Sequence, residues 1–401
     1  MRKGIIFISP NDLKVSSAVN NRLLAIARGL AEQGVEVTWI SLVTEVSEAI
    51  SQAERYHDIR FIQIVKVGSG KSGCKPVNYL LRLVSLLLLS GRLKSLNNTG
   101  KLNACFTLGD DFVFLAILRR LMLSKGIKVF HERTEYPYLG RLSLLRRINL
   151  KLYHSYFIPR VDHLFTITTS LHGYFCKYLE TRGKTMPVSI LNMLVEPDKY
   201  ESDSCSKPVM KHTDTKTRDI TYVGTMYGDK DGVYNLIEAF LMIKPDYPDI
   251  RLVLVGDCKK TERMGRILKL ANPSDRCSDV VFIGQLDHAG VNRYLQNAYC
   301  LALARPNNIQ ARYGFPTKLG EYLASAKPVV VTKTGDIPLF LIDGVNAYLS
   351  EPDNVNSFAA KLRECLDDPD RARDIGVEGR TLVDTVFNYR ECVKTVLAAL
   401  Q

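Results

Sequence analysis

The chain has 401 residues, 46% of them apolar and 24% charged, the make-up of an ordinary globular protein too long for one hydrophobic core, so two domains are expected. Its nine cysteines are scattered without a C-x-x-C pair or a Cys/His cluster at ligand spacing, which excludes a disulfide framework and a zinc site and suits a reduced compartment. The net charge of +12 lies wholly in the first half, since residues 1–200 carry 28 Lys and Arg against 15 Asp and Glu and residues 201–401 carry 26 against 27; a basic half asks for an acidic partner, whether nucleic acid, anionic membrane or anionic substrate.

The chain opens on Met1-Arg2-Lys3 and an apolar run, GIIFIS, too short for a signal peptide and ended by Pro10-Asn11-Asp12, so a cytoplasmic protein is expected. Ile5 to Ser9 reads as a buried strand, and Leu23, Ile26, Ala27 and Leu30 give the next segment a helical stripe ended by Gly34. Val35 to Leu42 is then a second strand, which makes a βαβ unit with a parallel sheet. Its first turn reads SPNDLKVSSAVNNR, so a G-x-G-x-x-G dinucleotide loop is absent. Tyr79 to Leu96 is strongly apolar, but Arg82 and Arg92 bound its charge-free run, which is far short of the roughly 20 residues that span a bilayer. It reads as a core or interfacial helix.

Strand and helix alternate onward through Phe106–Leu108, Val113–Leu121 and Lys128–His131, the last running into HERTEYP. His131 and Glu132 thereby fall at the carboxyl end of a strand, where ligands of open α/β sheets sit, and they are candidate sugar and acceptor contacts. A histidine in such a place equally serves a packed edge. Asp110-Asp111 reads as a loop after a strand rather than a metal motif. Tyr138 to Tyr153, YLGRLSLLRRINLKLY, alternates Leu and Ile with Arg and Lys at helical spacing. Such a helix suits an anionic membrane face or an ordinary solvated surface.

After a strand over Asp162–Thr168, a helix over Leu171–Leu179 and a strand over Val188–Asn192, the sequence turns polar from Glu196 to Asp219 and marks a domain boundary. We place domains at 1–198 and 199–383, with a final helix over 384–401 packing back on the first. A second alternating series begins with ITYVG at Ile220 and passes through RLVLVG, a helix over Arg263–Ala271, DVVFIG and CLALA. It ends in ARYGFPTKLGEYLASAKPVVVT from Ala311 to Thr332, which reads as loop, helix from Pro316, turn and buried strand. A helix beginning just after a glycine loop is a natural seat for phosphate. Lys318 adds a charge there, and Glu321, three residues on, is placed to accept hydrogen bonds from two ribose hydroxyls. The same spacing also suits a plain exposed ion pair.

YVGTMYGDKDGVYNLIEAF from Tyr222, LVLVGDC from Leu252, VFIGQLDHAGV from Val281, GFPTKLGEYLASAKPVVVT from Gly314 and DGVNAYLSEPDN from Asp343 cover nearly all of the second domain. In these motifs the chain resembles the large retaining glycosyltransferase family 4 (glycosyl transferases group 1), with the first domain similar only in outline. The resemblance implies an α/β architecture of the GT-B type, two Rossmann-like domains facing across a cleft. It implies transfer of a sugar, with retention and without a metal or other cofactor, from a UDP- or GDP-linked donor to a lipid-linked or polysaccharide acceptor. Lys230 matches the family lysine on the donor diphosphate, and Glu321 matches the second glutamate of the E-x7-E pattern, which holds the ribose. Tyr313 stands where the first glutamate is usual and Thr225 where an arginine is usual; Lys318, in the PxK variant of the motif, supplies a positive charge. The donor set implied is Gly224, Thr225, Lys230, Tyr313, Gly314, Phe315, Thr317, Lys318 and Glu321, with His131, Glu132 and Lys230 in catalysis.

Retaining transferases of this kind are thought to use attack from the leaving-group face, so no carboxylate nucleophile is required, and cations near the phosphates carry the electrostatic work. With the basic, leucine-rich first half, this places the protein peripherally on the inner membrane face. A nucleotide-sugar epimerase of the same fold would need acid and base carboxylates that the sequence does not offer. A non-catalytic GT-B partner subunit would account for Tyr313 and Thr225. Nucleic acid is excluded as a partner, because the basic residues lie among leucines rather than interleaved aromatics.

Overall fold

The computed structural model describes residues 3–9, 18–42, 55–56, 58–64, 75–96, 102–138, 142–200, 217–226, 230–257, 265 and 279–401. Residues 10–17 of the loop SPNDLKVSSAVNNR, the polar stretch over 201–216 and the expected helix over Arg263–Ala271, apart from residue 265, lie outside them. The chain divides into two units, one formed by Met1–Asn192 with Tyr389–Gln401 and the other by Met193–Asn388. The division falls at Asn192 rather than at 198 because Met193 and Val195 pack against the second unit's own helix, Gly320 meeting Val195 so closely that a Cβ there would lie 2.5 Å from its methyl.

The first unit contains the strands β1 (Gly4–Ser9), β2 (Glu36–Ser41), β3 (Arg55–Tyr56), β4 (Ile59–Gln63), β5 (Leu102–Leu108), β6 (Lys128–Arg133), β7 (His163–Thr166) and β8 (Val188–Ile190). Among the described residues these form one sheet in the order β3-β4-β2-β1-β5-β6-β7-β8, parallel except for β3 against β4. Ile5, Ile6, Phe7 and Ile8 of β1 are all buried, the sign of a strand covered on both faces. Across the sheet, Phe7 stacks on Trp39 at 5.8 Å and on Phe106 at 5.1 Å. The helices are α1 (Ala18–Glu32), α2 (Lys75–Leu96), α3 (Phe112–Leu123), α4 (Leu144–Leu152) and α5 (Thr169–Glu180). The side chains of Asp111, Ser143 and Thr168 cap α3, α4 and α5, each accepting an amide hydrogen bond three residues on. The basic helix therefore starts at Leu144 rather than Tyr138, and it runs into a π-turn over Tyr153–Phe157.

The second unit has a six-stranded, wholly parallel sheet from β9 (Arg218–Val223), β10 (Ile250–Val255), β11 (Val280–Gly284), β12 (Cys300–Leu303), β13 (Val329–Thr332) and β14 (Tyr348–Ser350), in the order β11-β10-β9-β12-β13-β14. Its described helices of eight residues or more are α6 (Val233–Ile243), α7 (His288–Asn297), α8 (Thr317–Ala324), α9 (Val355–Asp367) and α10 (Pro369–Asp384), with a single turn over Ile309–Tyr313 ahead of α8. Ala311–Tyr313, expected as loop, thus belong to a helical turn, which Asn308 caps by accepting from the Ala311 amide. Pro316 is the N-cap of α8 and not its first helical residue.

No helix among the described residues is long and apolar enough to cross a membrane. The final helix expected over 384–401 is two short ones, Tyr389–Cys392 and Lys394–Leu400, and both belong to the first unit. They lie on α1, where the Tyr389 hydroxyl donates to both Glu32 oxygens at 2.8 and 2.9 Å and Arg390 Nε donates to Glu32 at 2.8 Å. Gly29 is the contact point, since a Cβ there would lie 2.9 Å from two Val393 methyls. Gly29→Leu is expected to destabilise the protein by about 1–3 kcal/mol through overpacking, read as a lower urea midpoint at unchanged slope.

Candidate functional site

In the second unit the site is built at the carboxyl end of β9. Val223 is the strand's last residue, and the next, Gly224, has φ +151. A Cβ at Gly224 would lie 2.0 Å from Lys318 Nζ, so a glycine is required for the lysine of α8 to reach this edge. The helix is held there by Tyr322, whose hydroxyl accepts from the Val223 amide at 2.7 Å. Lys318 Nζ donates to Asp231 Oδ2 at 2.5 Å and to the Tyr222 hydroxyl at 3.0 Å, 4.6 Å from the centroid of that ring. The Tyr222 hydroxyl is also 3.0 Å from Asp231 Oδ2 and 3.0 Å from the Thr225 carbonyl. Arg305, 1% exposed, brings Nε to 3.9 Å from the other Asp231 oxygen.

Burial pushes the Asp231 carboxyl up, but Lys318, Arg305 and the Tyr222 hydroxyl outweigh it and hold it below the usual carboxylate range. Burial lowers Lys318, with Arg305 and Lys230 adding repulsion and Asp231 opposing. Glu321, one turn along α8, is half-buried; burial raises its carboxyl, opposed by Lys318 and by a hydrogen bond from Tyr200. Glu196 in turn pairs with Lys199, next to Tyr200.

The structure thus gathers Gly224, Thr225, Lys230, Lys318 and Glu321 of the expected donor set. Thr225, Lys230 and Thr317 are exposed. Tyr313 is half-buried at the end of its turn and Gly314 is the turn's C-cap. Phe315 is directed into the core, against Phe340 and Phe387 at 5.9 Å each. Asp231, Tyr222, Arg305 and Tyr200 were not read from the sequence. The one local signal was a carboxylate between Lys230 and Gly232, where the chain turns through φ +65.

In the first unit β6 runs past the expected end at His131 to Arg133, so His131 and Glu132 lie within the strand near its carboxyl end, and both side chains turn inward. His131 is wholly buried, its ring nitrogens hydrogen-bonded to Thr107 Oγ1 and the Tyr153 hydroxyl at 2.7 Å each. Glu132 is paired with Arg22, whose Nε and Nη2 donate to Oε1 at 2.9 and 2.7 Å while its other donors reach the carbonyls of Leu191 and Asn192. Asp110 takes Arg146 in a two-pronged pair at 2.8 and 2.7 Å and Arg133 at 3.3 Å. Those pairs account for it as an arginine clamp.

Residues 217–368 match the family model described as glycosyl transferases group 1. An uncharacterized glycosyltransferase of Methanocaldococcus jannaschii is 26% identical over 284 residues, 69% of this chain and 76% of that protein. Among solved structures, the sucrose-phosphate synthase of Thermosynechococcus elongatus aligns with a TM-score of 0.69 at 17% identity, covering 99% of this chain and 98% of that one. HepE of Anabaena, solved in complex with UDP and glucose, aligns with a TM-score of 0.71 at 13% identity, covering 100% and 99%. At such identities the structural likeness establishes the fold, two Rossmann-like parallel-sheet domains of the GT-B type.

The buried histidines give the first unit a pH dependence. His154, 2% exposed in the π-turn, is sandwiched between Tyr138 and Phe175, and among the described residues neither ring nitrogen has a hydrogen-bond partner. Burial, with Arg133 adding repulsion, lowers His154 to about 4 and His131 to about 3, from 6.5. Between pH 6.5 and these values the unfolded chain binds protons that the folded one does not, so stability is full above 6.5 and falls as pH drops. His154→Phe is expected to fold as well as the wild type or better at pH 7.5, and to lose less stability between pH 6.5 and 5 in urea titrations.

Proposed function

We propose that this chain is a glycosyltransferase of the GT-B type, moving a sugar with retention from a UDP- or GDP-linked donor to a glycan or lipid-linked acceptor. The observation that carries this reading is the convergence of Lys318, Lys230 and the start of α8 on the Gly224–Thr225 edge of the second sheet. Cations and a helix N-terminus at the carboxyl edge of a parallel sheet are what a nucleoside diphosphate needs. The family match over 217–368 and the Methanocaldococcus relative support the same activity.

In this mechanism the bond from the sugar's anomeric carbon to the diphosphate breaks as an oxocarbenium-like sugar forms. Lys230 and Lys318 stabilise the negative charge that builds on the departing phosphate, without a metal or other cofactor. The acceptor hydroxyl adds from the face the phosphate leaves, and its proton passes to the departing phosphate oxygen. Glu321 accepts hydrogen bonds from the ribose. His131 and Glu132, enclosed by Tyr153 and Arg22, support the strand end on the acceptor side.

Tyr313 and Thr225, which replace an acid and an arginine, favour a second reading as a non-catalytic partner subunit. An epimerase is disfavoured because Glu132, the carboxylate at the β6 end, is tied to Arg22.

The proposal extends to a peripheral position on an anionic membrane face. Leu144, Leu145 and Ile148 of α4 are 73%, 80% and 47% exposed, beside exposed Arg147 and Lys151. On α2, Leu80 and Leu87 are 61% and 72% exposed, and α3 packs on both helices. An apolar stripe flanked by cations suits insertion among anionic headgroups.

Two measurements test these readings. One of UDP and GDP at a hundred times its dissociation constant is expected to raise stability by about 2.7 kcal/mol, a thermal shift lost in Lys230→Ala and Glu321→Ala; no shift with either overturns the donor site. Shift without turnover of any nucleotide sugar favours the partner-subunit reading. The protein is expected to sediment with phosphatidylcholine vesicles only when phosphatidylglycerol is included, less so at high salt and in Leu145→Glu.

A further inference from the structure

The buried carboxylate beside Lys318 needs its own account. Asp231 is 6% exposed, and an enclosed carboxylate is costly unless paired. Two cations face it, Lys318 at 2.5 Å and Arg305 at 3.9 Å. The group of three therefore carries one net positive charge, and the pairing does not cancel the cationic edge. The Lys318 ammonium is held by Asp231 Oδ2 and by the Tyr222 hydroxyl. Gly224 lies against it, where a Cβ would be 2.0 Å away. Among the described residues, it is therefore backbone without a side chain that meets the ammonium at the end of β9.

We propose that Asp231 is a positioning residue for nucleoside diphosphate binding, its carboxylate holding the Lys318 ammonium aimed and charged against Gly224 before a ligand arrives. The inference rests on the donor-site reading above and adds a residue to it. A lysine side chain loses rotamer entropy when it is fixed, and prior fixing removes that cost from binding. The groups facing Lys318 are Asp231 and Glu321, which favour its charge, Arg305 and Lys230, which oppose it, and the Tyr222 hydroxyl. Burial opposes the charge most. Without Asp231 the ammonium loses both its tether and its strongest support against deprotonation.

Titration calorimetry with UDP, GDP, uridine and guanosine tests this on the wild type, Asp231→Asn, Lys318→Met and the double variant, with thermal unfolding to confirm that each is folded. Asp231→Asn is expected to weaken binding of whichever diphosphate the wild type binds by about tenfold, a coupling within the range for contacting residues. Its nucleoside should bind within about twofold of wild type. In the Lys318→Met background the same substitution should cause no further loss. The Asp231→Asn variant should also lose diphosphate affinity from pH 7 to 9 more steeply than the wild type, a change that a packing role would not produce.

Equal or tighter diphosphate binding by Asp231→Asn overturns the inference, because the carboxylate would then be sequestering Lys318 rather than presenting it. An equal loss in both backgrounds also overturns it, in favour of a structural role. In either case wild-type binding leaves the donor site standing. If the wild type binds neither diphosphate, the donor site and the inference fall together.

Discussion

Asp231 keeps a negative charge in the interior only because Lys318 and Arg305 stand beside it, and the geometry of the second unit's sheet edge follows from that. The three residues come from the turn after β9, the start of α8 and the chain after β12. Pairing them fixes where the turn, the helix and the central strands end relative to one another. The glycines at 224 and 232 serve the same closure. A side chain at the first would strike Lys318, and a Cβ at the second would lie 1.8 Å from the Ala304 carbonyl oxygen.

The first unit treats charge at its sheet edge in the same way, with arginine in place of lysine. Glu132 is met by Arg22, and Asp110 by Arg133 and Arg146. The planar guanidinium supplies several donors in one geometry, so Arg22 also closes the carbonyls of Leu191 and Asn192, where the chain leaves the sheet. These pairs are closed, each side chain directed at another, whereas the second unit's edge exposes Lys230 and Thr225. That contrast agrees with the proposal that a diphosphate meets the second unit's edge.

What the sequence disclosed and what it hid divide along physical lines. Strands buried on both faces, such as GIIFIS and VVVT, announce themselves by unbroken apolar runs, and α8 by Leu319 and Leu323 four apart. The helix start after a glycine loop pointed to Lys318 at the edge, as did the PxK variant of the family it resembles. Its partner lies 87 positions away in sequence, and no local pattern marks such a pair. The turn over Ile309–Tyr313 is too short to show a period, and its one signal was the Asn308 cap. For His131, position at a strand's end suggested access, but access depends on what covers the edge, and Tyr153 and Phe157 of the π-turn do so. An extra residue in a helical turn leaves no mark in a 3.6-residue pattern.

The return of residues 389–401 to α1 has a consequence for the order of events on the ribosome. The first unit is interrupted by the second, and the Gly29 face of α1 is covered only after Tyr389 and Val393 have emerged. The unit begun first is therefore completed last. Residues 193–388, contiguous in sequence, are free to fold while the earlier segment still waits for its strap. A chain cut before Tyr389 leaves Glu32 without the Tyr389 and Arg390 hydrogen bonds, and Gly29 without Val393 against it.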